Sequence, residues 1–174
     1  MKTVADYMRS IPDFPKPGIL FRDITTVLQD PDGFRLAIDE LEKQLDGVEF
    51  DLIAPAEARG FIFGAPLCDR LHKGMVPVRK EGKLPCETVS ETYSLEYGTA
   101  TLQLHRDAIK PGQRVVIIDD LLATGGTAKT CIDLVEQLGG KVVKVLFLVE
   151  LDDLHGRKAL EPYDVASVLH YEGE

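Results

Sequence analysis

Residues 114–127, RVVIIDDLLATGGT, constrain the chain more than any other stretch. Apolar residues 115–118 run into two adjacent acids, Asp119 and Asp120, and Gly125 and Gly126 follow between two threonines. This order predicts a buried strand that ends in a loop of phosphate size. The continuation AKTCIDLVEQLGG spaces Ala128, Cys131, Ile132, Val135 and Leu138 along one helical face, with Gly139 as a left-handed stop. A helix N-terminus carries free N–H groups and about half a positive charge, so small residues leading into it let backbone amides reach a phosphate. The two acids would repel that anion; they suit sugar hydroxyls, a cation or a developing positive charge beside it. A phosphorylated sugar has both features.

A chain of 174 residues is long enough for one domain with a real core and short for two. Residues 1–174 are therefore expected to form a single domain. The net charge of −9 argues against the broad basic face of a nucleic-acid binder. No apolar run approaches membrane-span length and the N-terminus lacks a signal-peptide core, so neither nucleic acid nor membrane is an expected partner and the cytoplasm is the expected location. Cys68, Cys86 and Cys131 have neither disulfide nor zinc spacing; Cys68 and Cys131 read as core, Cys86 as an exposed thiol.

Taken in order, residues 3–10 predict a short helix, and residues 12–18, with three prolines and Gly18, an ordered but irregular flap. Asp30 reads as an N-cap with Pro31 at the first helical position, followed by Phe34, Ala37, Ile38, Leu41 and Leu45 at helical spacing and a stop at Gly47. Residues 50–55 predict a buried strand before a polar turn at 57–60, residues 61–71 a helix closed by Gly74, and residues 75–78 another strand. Residues 81–92 read as a mobile loop, and residues 92–95 and 99–105 alternate as a hairpin. Residues 142–149 are nearly all apolar, as in a parallel strand covered on both faces. The expected fold is α/β: a largely parallel twisted sheet flanked by helices, with an N-terminal hood over about 1–30, a core from about 31 onward and a flexible β-hairpin lid at about 81–104. Turns at 57–60, 79–85, 119–127 and 150–153 follow strand ends and should share one rim, where such sheets bind ligands.

At this point the pattern resembles a known family. DDLLATGGT after an apolar strand resembles the phosphoribosyl-pyrophosphate motif of type I phosphoribosyltransferases, and FPKPGILFRDIT, EARGFIFG, VRKEGKLP and YSLEYGT extend the resemblance toward the adenine phosphoribosyltransferase family over nearly the whole chain. The resemblance implies the type I phosphoribosyltransferase fold, a homodimer, and a Mg²⁺-dependent reaction of adenine with phosphoribosyl pyrophosphate giving AMP and pyrophosphate. It implies that Ala123, Thr124, Gly125, Gly126 and Thr127 hold the 5′-phosphate, that Asp119 and Asp120 hold the ribose hydroxyls, and that Arg59, Arg79, Lys80 and Lys83 face pyrophosphate. Leu20, Phe21 and Leu151 would line the adenine pocket, with Phe21 stacking on the purine, and Glu96 and Tyr97 match a catalytic-loop pair. The turn at 57–59 matches a pyrophosphate loop that often contains a cis non-proline peptide, although Pro55 and Ala56 depart from the family's usual small residues. The metal is expected to be held mainly by the substrate rather than by protein ligands.

The residue types suit that chemistry. Breaking the bond from C1′ to pyrophosphate leaves positive charge on the ribose ring, which carboxylates offset while cations stabilise the departing anion. Glu96 is the expected proton acceptor or relay at the base edge, with Asp119 and Asp120 positioning ribose. Two other readings stay open: a transferase for another base, and a non-catalytic sensor of phosphoribosyl pyrophosphate. The apolar base-side residues favour adenine over a 6-oxo purine, which calls for a donor such as lysine. His105, Arg106 and Asp107 spell a kinase-like triplet without the asparagine that should follow, and no dinucleotide or P-loop glycine motif is present.

Overall fold

The computed structural model describes residues 1–95 and 97–173. Glu96 therefore lies outside the described residues. The chain opens with a 3-10 turn, Val4–Tyr7, and an antiparallel pair of strands, β1 (Arg9–Pro12) and β2 (Leu20–Asp23). The helix expected over residues 3–10 is thus only one turn long, and the proline-rich flap is the loop of a hairpin. Asp13 and Gly18 both take positive φ, and the Gly18 N–H donates to Asp13 Oδ1 at 2.9 Å. A short helix that periodicity did not reveal, α1 (Thr25–Gln29), follows; the buried Asp23 carboxylate accepts the Thr25 N–H at 2.9 Å and closes its first turn.

Helix α2 (Pro31–Lys43) starts as its sequence dictates: Asp30 Oδ1 accepts the N–H groups of Asp32 and Gly33 at 2.9 and 3.0 Å, and Pro31 occupies the first turn. Strand β3 (Leu52–Pro55) leads to α3 (Arg59–Leu71), which begins two residues before the apolar periodicity does. His72, at φ 54°, caps α3 in the left-handed conformation, and Gly74 opens the next strand instead of closing the helix. The strand expected at 75–78 is divided between β4 (Gly74–Met75) and a parallel bridge from Val78 to Ala56, after which β5 (Arg79–Lys80) joins a different sheet.

Strands β6 (Thr88–Ser94) and β7 (Thr99–His105) form the hairpin, and β5 pairs with β7. The loop read as mobile ends at Thr88. Val89, Leu102 and Leu104 are buried, so the base of the hairpin is packed into the core, whereas Leu95, Tyr97 and most of residues 81–87 are exposed. Strand β8 (Arg114–Leu122), helix α4 (Gly126–Gln137) and strand β9 (Lys141–Leu151) follow, then a 3-10 turn (Asp152–Leu154), the short helix α5 (Gly156–Ala159) and β10 (Val165–Tyr171). The five-stranded sheet runs β10-β9-β8-β3-β4, all parallel.

Side chains on a strand alternate between faces, and β8 shows what that does here. Val115 and Ile117 pack beneath α4 with Ala128, Cys131, Ile132 and Val135; Val116 and Ile118 pack on the opposite face with Phe63 and Leu67 of α3 and with Ile38 and Leu41 of α2. A strand buried on both sides needs a continuous apolar run, which is why the segment reads as it does. The central strands are therefore fixed in register by two cores at once, and the rim at their carboxyl ends inherits that rigidity.

Candidate active site

Pairing continues past the apolar run, because Asp119 stands opposite Phe147 and Leu121 opposite Val149 of β9. The two acids thus belong to the strand itself. Alternation puts Asp119 in phase with Val115 and Ile117, and Asp120 with Val116 and Ile118. Asp120, only 6% exposed, accepts from Arg59 Nε at 2.6 Å across the start of α3. Gly60 makes that approach possible: a methyl group there would stand 2.8 Å from the Ile118 carbonyl oxygen. Asp119 Oδ1 accepts the Asp120 N–H at 2.8 Å. Burial, and then the neighbouring Asp120 charge, push the Asp119 carboxyl well above the ordinary carboxylate range. Adjacent in sequence, the two carboxylates have unlike surroundings: Asp120 is paired with an arginine, whereas Asp119 accepts a backbone N–H and its carboxyl is raised above the ordinary range.

Arg59, both acids and residues 123–127 line one cleft of about 200 Å³ at the rim. Gly125, at φ 93°, turns the chain out of β8 so that α4 can begin at Gly126. Its carbonyl accepts the Lys129 N–H at 2.9 Å, and the Gly126 carbonyl accepts the Thr130 hydroxyl at 2.8 Å. The first amides of α4 are left to face the cleft, with the positive end of the helix behind them. Beneath the loop lies α5: a methyl group on Gly125 would meet the Gly156 carbonyl oxygen at 2.7 Å, and one on Gly156 would meet the Ala123 carbonyl oxygen at 2.4 Å. Two backbones touch at these glycines, and neither tolerates a side chain.

The other basic residues are placed differently from Arg59. Arg79 Nε donates to Glu57 Oε2 at 3.3 Å and the Lys80 N–H donates to the same oxygen at 2.7 Å. Burial opposes ionisation of Glu57, but these two donors outweigh it and hold its carboxyl below the ordinary range. Arg79 is half-buried, whereas the Lys80 and Lys83 side chains are exposed, and none of the three lines the cleft. The Glu57–Ala58 peptide bond is cis, as the resemblance implied for this turn.

Of the residues expected at the base, Phe21 and Leu20 lie on β2, where Phe21 meets Phe14 edge to face at 5.1 Å; neither they nor Leu151 line the cleft. Leu151 ends β9 and pairs with Tyr171 of β10, whose ring carries the Arg22 guanidinium at 4.1 Å. This cation–π contact docks the hood strand against the end of the sheet where Leu151 sits. Tyr97, at the hairpin tip, is 86% exposed and stands clear of the cleft. Among the described residues, the one gathering of three metal-ligand types is Glu150, Asp152 and His170. Arg157 Nε donates to both Glu150 carboxylate oxygens, the Ser167 hydroxyl donates to one of them, and His170 pairs with Asp152. The cluster is an ion-pair network already filled by protein groups.

Comparison with known proteins gives the chain a family. Residues 26–170 match the phosphoribosyl transferase domain family. The chain is 63% identical to an adenine phosphoribosyltransferase of Agathobacter rectalis over all of both sequences. The chain belongs to the adenine phosphoribosyltransferase family. A solved member from Thermoanaerobacter pseudethanolicus superposes with a TM-score of 0.93 at 57% identity, covering 97% of this chain and 98% of the other. The Saccharomyces cerevisiae adenine phosphoribosyltransferase, crystallised with an imino-altritol bisphosphate and adenine, superposes at 0.90 with 40% identity, covering 95% and 96% of the two chains. The type I phosphoribosyltransferase fold implied by the resemblance is the fold observed.

Family motifs direct attention to the cleft and pass over its supports. Gly60 and Tyr93 fall within quoted motifs without a role of their own, and Gly156 and Tyr171 fall within none. Gly156, in DDLHGRKAL after a long apolar strand, is a glycine opening a helix. That signal was available, but its partner Gly125 lies far away in the chain.

Proposed function

We propose that the chain transfers the 5-phosphoribosyl group of phosphoribosyl pyrophosphate to N9 of adenine, giving AMP and pyrophosphate, as one cytoplasmic purine-salvage domain that works as a homodimer. One observation carries the reading: a glycine loop opening α4 stands beside two unlike carboxylates and Arg59 in a single cleft. The 5′-phosphate takes the α4 amides and the loop from Ala123 to Thr127. Asp119 and Asp120 take the ribose hydroxyls. As the bond from C1′ to the pyrophosphate oxygen breaks, the bond from C1′ to N9 forms. Asp119 and Asp120 offset the positive charge that develops on the ring.

Arg59, Arg79, Lys80 and Lys83 receive the pyrophosphate. The last two are free to swing from solvent, and Arg79 exchanges Glu57 for the anion. Leu20, Phe21 and Leu151 enclose adenine, and Glu96 accepts or relays the N9 proton. The cleft offers hard oxygen donors that suit Mg²⁺, but Asp120 is engaged by Arg59, so the ion would be held mainly by the substrate's own oxygens. When bound, Mg²⁺ supplies charge neutralisation for the leaving group.

A coupled assay with phosphoribosyl pyrophosphate, Mg²⁺ and a panel of adenine, hypoxanthine, guanine, xanthine and orotate tests the reading. AMP from adenine at a rate well above the other products is the expected result; a different preferred base, or no transfer at all, overturns it. A Glu96→Gln enzyme with unchanged turnover and substrate affinities would remove Glu96 from the mechanism.

A further inference from the structure

Tyr93 lies within β6, outside the lining of the cleft, yet its phenolic oxygen is 3.1 Å from Thr127 Oγ1. Its ring edge approaches Gly126, where an added methyl group would stand 3.4 Å from Cδ2, and the ring packs against the buried core beneath α4. The tyrosine is therefore held by its ring and joined to the phosphate loop by one hydrogen bond. A hydroxyl has one proton and can also accept, whereas a phosphate dianion only accepts. Once a phosphate occupies the loop, Thr127 can bond to it only by donating. Its lone pair is then left for Tyr93, and the direction of the pair is no longer free.

We propose that Tyr93 is a positioning residue for the 5′-phosphate: its O–H donates to Thr127 Oγ1 and so turns the threonine O–H toward the anion. This rests on the phosphosugar reading of the cleft and is independent of which base is used. The two bonds run head to tail, tyrosine to threonine to phosphate, and each polarises the next. Without the tyrosine, the threonine hydroxyl rotates freely and must be ordered by the ligand itself. β6 is also the strand that leads into the hairpin tip, so the same hydroxyl registers that strand against the phosphate loop.

Calorimetric titration with ribose 5-phosphate tests the proposal in the whole protein, comparing wild type with Tyr93→Phe, Thr127→Ala and the double variant. Tyr93→Phe keeps the ring and its packing, so its melting temperature serves as the check on folding. Its affinity for ribose 5-phosphate is expected to fall about 3- to 10-fold, the range of one net hydrogen bond. In the Thr127→Ala background the same change is expected to cost nothing further; in a Thr127→Ser background, which keeps the hydroxyl, the loss is expected to return. In turnover, KM for phosphoribosyl pyrophosphate rises by the same factor, while KM for pyrophosphate in the reverse direction stays put. Wild-type affinity in Tyr93→Phe, or losses that multiply in the double variant, would overturn the proposal. Wild-type protein that fails to bind ribose 5-phosphate would overturn the phosphosugar reading and this inference with it, whereas normal wild-type binding with an indifferent Tyr93→Phe would overturn the inference alone.

Discussion

The proposed phosphate seat and the proposed base side, whose residues Leu20, Phe21 and Leu151 lie outside the cleft lining, are built in opposite ways. At the phosphate end, strand β8 is buried on both faces, its loop is pinned by glycine contacts to α5, and Asp120 is fixed by Arg59. At the base end, the hood is a two-stranded hairpin held by Arg22 over Tyr171, and the hairpin tip puts Tyr97 into solvent. One half is fixed by packing on both faces of a central strand; the other rests on a two-stranded hairpin and an exposed tyrosine. A donor that must be aligned to within fractions of an ångström profits from the first kind of site. A flat aromatic acceptor that has to enter and leave profits from the second.

The comparison is broken most severely at Gly125. Gly125→Val imposes a β-branched residue at φ 93° and drives carbon into the Gly156 carbonyl. We expect a loss of roughly 3 kcal/mol, about 100-fold or more, in binding of phosphoribosyl pyrophosphate or ribose 5-phosphate. Retained affinity in a titration would mean that the loop is adaptable after all. Asp119→Asn comes next, with kcat expected to fall about 100-fold while adenine affinity holds, as for loss of one transition-state partner; a rise in KM alone would make the residue a binding group only.

Phe21→Ala probes the softer end. KM for adenine is expected to rise about 10-fold, the scale of one stacking contact, with KM for phosphoribosyl pyrophosphate little changed. An equal rise in both would show that the hood organises the donor as well. The smallest effect concerns stability. The folded protein holds the Asp119 proton more tightly than the unfolded chain does, so ionising this group opposes folding. Its destabilising contribution is absent below the unfolded carboxylate pKa and grows as pH rises toward the elevated folded value. Ligand-free Asp119→Asn should therefore melt above wild type at pH 8, and the gap should close as the pH is lowered through the acid range. A gap independent of pH would assign the gain to packing.

The same contrast decides what could be read in advance. The phosphate end was legible because its requirements are local: apolar run, acids, glycines and amphipathic helix follow one another without interruption. The helix cap at Asp30 and the parallel sheet were legible for the same reason. Elements without their own period were missed. Helix α1 depends on the buried Asp23 carboxylate, and α5 is a single turn. The hairpin base looked mobile because charge, glycine and proline in the preceding loop masked the start of β6, where Val89 is buried by α4 and the core. The different fates of Asp119 and Asp120 were also hidden. They depend on Arg59, sixty-one positions away from Asp120, and on the pleat that separates them.

The glycine contact between the phosphate loop and α5 has a practical consequence for anyone who edits this protein. Arg157, Lys158 and Ala159 are exposed, lie on a helix of four residues and touch no proposed substrate group, which makes that turn an obvious place to insert a tag or graft a loop. It is the wrong place: the turn is the floor on which the loop rests, and through Arg157 and Glu150 it is tied to the strand that ends in Leu151. A change there would be transmitted to the proposed phosphate seat and to the wall of the proposed base pocket together.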